Sequence, residues 1–281
     1  MRTGVALLGL AGVGLAVAVG YAVVREVTPL LEPDQCTATV GGRTVTLDPE
    51  QAENAALITA VSVDRGMPAR AATIALATAY QESKIRNLDH GDRDSLGIFQ
   101  QRPSMDWGTA KQVRDPYYAT NAFYDALEKI PDYETMRITE AAQAVQRSGF
   151  PEAYEDHAID ARALASVLTG YSPGGLFTCV VHESEDRGNG DRLIRQVHRA
   201  FGDLGMERTG SRQDVALELP DSEAGERLGW AVSQFVVAHG VQLHPQRVDH
   251  SGKQWQTGRE SEDGWTSGGD AGPSEVRVAM G

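Results

Sequence analysis

The sequence predicts a mainly α protein: an N-terminal transmembrane helix, then a helical domain, then a small α+β domain at the C-terminal end. Three observations carry that expectation. Residues 4–24 form an unbroken apolar run, helix-start and helix-stop signals recur between residues 48 and 170, and beyond residue 191 one amphipathic stretch stands among short strand-like segments. The chain has 281 residues, and at about 100–200 residues per domain that length favours two modest domains. The expected boundaries are an anchor at 1–30, a helical domain at 31–182, a linker at 183–191 and a second domain at 192–281.

A bilayer core takes about twenty apolar residues in helical form, and the run at 4–24 (GVALLGLAGVGLAVAVGYAVV) is just long enough. A cleaved signal peptide, the other reading, has a shorter apolar stretch and a small-residue cleavage site. Its candidates here, Ala18-Val19-Gly20 and Gly20-Tyr21-Ala22, are poor ones. Arg2 precedes the run while Arg25 and Glu26 follow it, so charge asymmetry says little about orientation. The cysteines say more. Cys36 follows the anchor and Cys179 closes the helical region, and an even count behind an export-like N terminus suggests a disulfide. Two unrelated buried thiols are the alternative. A bridge across so long a loop stabilises by about 4–5 kcal/mol at most in the chain-entropy model. The expectation is a body outside the cytoplasmic membrane, single-pass if the run is kept and secreted if it is cleaved.

After a short spacer, residues 37–47 (TATVGGRTVTL) alternate about Gly41-Gly42, a hairpin signal. Asp48-Pro49-Glu50-Gln51 reads as a helix start, with Asp at the N-cap, Pro at the first helical position and Gln three residues on. That helix should run to about Asp64, where Gly66 ends it. Pro68 opens the next, through about Ser83. Asp115-Pro116 repeats the device for a helix to about Ile130, Thr139 caps another that ends near Gly149, and a last one spans about 152–168 before Gly170. Residues 183–191 (ESEDRGNGD) are polar and Gly-bearing, as linkers are. A helix near 192–202, a strand at 215–219 and an amphipathic helix near 222–239 follow, the last stopped by Gly240. Two or three short strands close the chain, the clearest at 275–278, and Trp230, Trp255 and Trp265 are expected to pack that small sheet.

A composition of 41% hydrophobic and 23% charged residues is that of an ordinary globular protein with a core. A formal net charge of −13 argues against a nucleic-acid partner, whose phosphates need a basic surface. It reads as a solvated surface instead. There is no Cys/His ligand cluster, no serine-histidine-aspartate set and no phosphate-cradling Gly loop, and no cofactor or metal is expected. The stretch DHGDRD at 89–94 is carboxylate-rich but lacks the terminal Glu and spacing of an EF-hand, and reads as a solvated loop.

One segment carries chemistry. Residues 69–83 (ARAATIALATAYQES) are apolar nearly all round, so this helix belongs inside its domain. It nevertheless ends with Gln81-Glu82-Ser83. Burial disfavours the charged form of a carboxyl there, and the negative end of the helix dipole does the same. A carboxyl that keeps its proton near neutral pH is what a general acid needs to protonate a departing glycosidic oxygen. The loop that follows holds Ser95-Leu96-Gly97-Ile98-Phe99-Gln100-Gln101, apolar side chains among amides. Gly97 permits close approach of a ligand to the backbone, and Gln100 and Gln101 can bond sugar hydroxyl and N-acetyl groups. Trp107, Tyr117 and Tyr118 offer aromatic faces, although such residues are more often core than subsite.

Glu82-Ser83, then Asn87, then Ser95-Leu96-Gly97-Ile98-Phe99-Gln100 resembles the signature of lytic transglycosylases and goose-type lysozymes. The resemblance covers about residues 48–170, with some 30 of them carrying the specific signal. It implies a lysozyme-like helical domain, glycan strands of peptidoglycan as substrate, and Glu82 as acid and then base. Ser83, Ser95, Gly97, Gln100, Gln101 and Tyr117 are the expected substrate-binding residues. The charged insertion at 89–94 departs from the pattern. Hydrolysing lysozymes use a second carboxylate, for which Asp94 is the candidate ahead of Asp92 and Asp89; lytic transglycosylases use one Glu and the substrate's own hydroxyl. The competing expectations are a non-catalytic wall-binding or scaffold protein with a vestigial Glu82, and a surface protein whose working part is the C-terminal domain, for which the sequence names no partner.

Overall fold

Local signals set the first elements. The structure, a computed structural model, describes residues 33–150, 152–210 and 213–281. Strands β1 (Gln35–Val40) and β2 (Arg43–Leu47) form an antiparallel hairpin. Gly41 and Gly42 turn it with φ of 57° and 79°, the left-handed pair that a two-residue hairpin needs. Helix α1 (Pro49–Asp64) begins with a reciprocal cap: Gln51 N–H donates to the Asp48 carboxylate and Asp48 N–H to the Gln51 side chain, both at 3.1 Å. Helix α2 (Ala69–Ser83) is buried from Ala71 through Ala79. After an irregular loop come α3 (Ala110–Val113), α4 (Pro116–Leu127), α5 (Ile138–Gln146), a 3-10 turn (Ala153–His157) and α6 (Ala158–Leu168). Helices α1, α4, α5 and α6 all pack on α2. The helix that carries Glu82 is therefore the axis of this half.

Strand β3 (Phe177–Val180) returns beside β1, with Cys179 directly opposite Cys36. The two form a disulfide across 143 residues of sequence. Beyond it lie α7 (Gly190–Phe201), β4 (Glu207–Arg208), β5 (Val215–Glu218), α8 (Glu223–Ala238), α9 (Gly240–Leu243), β6 (Arg247–His250), β7 (Lys253–Gln256), β8 (Thr266–Ser267) and β9 (Glu275–Ala279). The six strands form one antiparallel sheet in the order β4-β5-β9-β6-β7-β8. Register makes one face apolar. Val215 and Val248 flank Val278, while Leu217 and His250 flank Val276, and α8 lies against β6 and β9.

The expected fold class, mainly α with a lysozyme-like helical domain after a transmembrane helix and a small α+β domain behind it, is corrected by this arrangement. The described residues carry two antiparallel sheets, one of three strands and one of six, and helices and sheets share one core. Residues Gln35–Gly281 make a single compact unit. The physical reason is α8. It is buried without a break from Gly229 to Ala238, more than one sheet face can cover. The six-stranded sheet takes one side, and α1, α6 and β3 take the others. Trp255 Nε1 donates to Cys179 O at 3.0 Å and Trp265 Nε1 to Phe177 O at 2.9 Å, so two of the tryptophans tie β3 to the larger sheet.

Among the described residues no helix is long and apolar enough to cross a membrane; the expected span at 4–24 lies outside them. Two boundaries also change. Thr139 is not a cap: α5 starts at Ile138, and Glu140 accepts from the Arg137 N–H at 3.1 Å. The helix expected over about 152–168 splits at His157 into the 3-10 turn and α6. That break matters for Glu82.

Candidate functional site

Glu82 occupies the last turn of α2, just before Lys84 ends the helix in a left-handed conformation with φ of 58°. The 3-10 turn lies across this end. From it the Tyr154 hydroxyl, fully buried, donates to Glu82 Oε1 at 2.7 Å. The Gln146 side chain at the end of α5 also bonds the carboxyl, and its amide donates to Phe99 O at 2.8 Å. Burial raises the Glu82 carboxyl above its ordinary pKa, while the Tyr154 and Gln146 hydrogen bonds pull it back toward the charged form. No cation pairs with Glu82 among the described residues. The nearest arginine in sequence, Arg86, is engaged elsewhere: it bonds Asp48, and Glu50 at 2.8 Å. Beside Glu82, Gln81 Oε1 lies 3.0 Å from His157 Nε2, and the His157 ring stacks on Tyr80 with centroids 4.8 Å apart.

The loop segment is knotted against the end of α2. Ser83 is buried, and its hydroxyl contacts Ile98 O at 2.6 Å and Ala79 O at 3.0 Å while accepting from the Arg86 N–H. Ile98 and Phe99 are in the core, Phe99 stacked on Phe123. Gly97 has φ of 78°, and a Cβ there would lie 2.2 Å from Val113 O. The backbone it must let approach is that of α3, which is a packing reason for the glycine. Ser95 is buried and its N–H donates to Asp92 O. Gln100 folds its amide onto His90 O at 3.2 Å and Gly97 O at 3.3 Å. Gln101 is buried, with Nε2 donating to Ala119 O at 3.0 Å and Oε1 unpartnered.

Asp94 accepts from Arg102 Nε at 2.9 Å, from the Ser104 hydroxyl at 2.9 Å and from the Ser104 N–H at 2.8 Å. Those partners hold its carboxyl well below the usual carboxylate range. Its oxygens fasten the loop to the 3-10 turn Pro103–Met105. Tyr117 is buried in a different place, its hydroxyl donating to Gln196 Oε1 at 3.0 Å and its ring beneath the Arg199 guanidinium. It joins α4 to α7.

The structure thus brings Glu82 together with Tyr154, Gln146, Gln81 and His157, and gives the other expected residues protein partners. Sequence reasoning missed Tyr154, 72 residues from Glu82. It stands in a stretch that reads as ordinary helix, and no spacing links it to the acid. Glu53 on α1 was missed as well. Burial, with Glu50 close by, pushes its carboxyl up to about 7, opposed by Arg192. No protein-family model matches the chain, and no curated protein matches it at a significant level.

Proposed function

We propose that this protein cleaves the glycan strands of bacterial peptidoglycan with Glu82 as general acid and then base, its body held outside the cytoplasmic membrane by residues 4–24. The observation that carries the reading is a half-buried carboxyl whose partners are uncharged donors and whose pKa is raised by burial. Burial keeps a proton available for the departing glycosidic oxygen. Once the proton leaves, Tyr154 and Gln146 stabilise the carboxylate left behind, without the fixed ion pair that would hold it ionised from the start. The likeness of Glu82-Ser83 and the Ser95–Gln100 segment to the transglycosylase signature supports the same assignment.

The commitments of Asp94 favour a single-carboxylate route. Both its oxygens accept hydrogen bonds within its own loop, whereas the second group of a hydrolase must reach a water at the sugar. On that route the substrate's own hydroxyl attacks and Glu82 takes its proton. The test is a zymogram on purified wall material, with the soluble products analysed for anhydro and reducing ends. Wild type should clear and release anhydro ends; Glu82→Gln should not clear, while its Tm stays at or above that of wild type. Equal clearing by both proteins would remove Glu82 from the reaction.

A further inference from the structure

An exposed phenylalanine stands four residues before the tyrosine that donates to the acid. Phe150 is 77% exposed, more than any other exposed large hydrophobic residue described. A solitary exposed apolar side chain needs no explanation in itself. This one, however, is mounted. Its N–H donates to Ser148 Oγ at 3.2 Å and its carbonyl accepts from the Ala153 N–H at 3.2 Å. Ser148 is in turn clamped by Gln143, its hydroxyl donating to Gln143 Oε1 at 3.0 Å and its carbonyl accepting from Gln143 Nε2 at 2.9 Å. Four residues beyond Phe150, the Tyr154 hydroxyl donates to Glu82 Oε1 at 2.7 Å. The connection after α5 thus carries a large aromatic face turned to solvent, and the 3-10 turn it leads into carries the donor to the acid.

We infer that Phe150 is a sugar-stacking residue of the Glu82 site, binding the C–H face of a pyranose ring in the strand to be cut. The inference rests on the glycan-cleaving reading above and names a group that recognises the substrate rather than one that reacts. A pyranose presents C–H bonds on its faces and hydroxyls at its rim. An aromatic ring with water around it can cover the face and leave the rim hydrated, and no polar group has to be desolvated in exchange. Because the N–H and the carbonyl of Phe150 are both hydrogen-bonded, little ordering entropy is lost when the ring is covered.

The trial uses the full chain and the soluble amino-sugar tetrasaccharide repeat of peptidoglycan. Glu82→Gln holds that ligand uncut, and calorimetry gives its Kd. Adding Phe150→Ala should weaken binding about tenfold, and Phe150→Trp in its place should restore it. In the active protein, Phe150→Ala should raise KM about tenfold with kcat changed less than about twofold, and Tm should not move because the ring is exposed. Unchanged Kd and KM in Phe150→Ala, or no restoration by Phe150→Trp, overturns the stacking role while cleavage by wild type leaves the Glu82 reading standing. Absence of cleavage by wild type together with absence of binding by Glu82→Gln overturns both.

Discussion

At the scale of single residues, Glu82 and Tyr154 form a matched pair. Burial makes the carboxylate costly, and the phenol hydrogen bond offsets part of that cost. Tyr154→Phe keeps the buried ring and removes the donor. The Glu82 pKa should then rise further, so the alkaline limb of kcat/KM against pH moves to higher pH. A hydrogen bond to a charged group contributes about 1.5 kcal/mol, so the rate at the optimum should fall about tenfold. A pH–rate profile of the two proteins checks both. Glu53 makes a separate prediction through stability. Its folded pKa, about 7, lies above the ordinary value of 4.5, so the fold disfavours the ionised form. The stability it contributes is complete below about 4.5 and is lost as pH rises through about 7. Glu53→Gln should therefore raise Tm by a few degrees at pH 8 and leave it unchanged at pH 4, read by thermal unfolding at the two values.

At the scale of elements, the Ser95–Gln101 segment shows how a motif can be legible while its task is not. Ser83, Gly97 and Gln101 stand where the sequence pattern marked them, yet each spends its polar group or its missing Cβ on the protein: Ser83 on Ile98 O, Gly97 on the close approach of Val113 O, Gln101 on Ala119 O. Spacing identifies the loop, but only neighbours 15 to 18 residues away reveal whom it touches. The hairpin and the disulfide are a second case. Gly41-Gly42 names its turn locally, whereas the pairing of β1 with β3 depends on residues 143 apart. Replacing both Cys36 and Cys179 by serine should cost about 2–5 kcal/mol, measured by denaturant unfolding, with β1 and β3 losing amide-exchange protection first.

At the scale of the whole molecule, α8 decides the architecture. Trp230, Phe235 and Val236 are each at most 2% exposed, and the helix holding them touches α1 and β3 as well as the six-stranded sheet. Removing any one of these layers leaves apolar surface bare. Residues 35–281 should consequently unfold in one transition, with tryptophan fluorescence and far-UV circular dichroism coincident. A chain ending at residue 183 should show no cooperative transition and should bind a hydrophobic dye, because the faces of α1 and β3 that α8 covers would meet water. Two separated melting transitions in the full chain would contradict the shared core.

By itself the sequence determined what depends on near neighbours: the reciprocal cap of Asp48 and Gln51, the glycine turn, the buried helix ending in Glu82, the extent of the amphipathic helix that became α8, and the cysteines available to pair. Only the tertiary structure decided that Tyr154 and Gln146 solvate Glu82, that Asp94 is committed to Arg102 and Ser104, and that helices and sheets form one core. The division has a physical cause. Capping, turn geometry and amphipathic period act over a few residues and leave a mark in the order of side chains. A buried face records only that it is apolar, and a buried carboxyl only that it is acidic; which surface or which hydroxyl meets it is set when distant segments close around it.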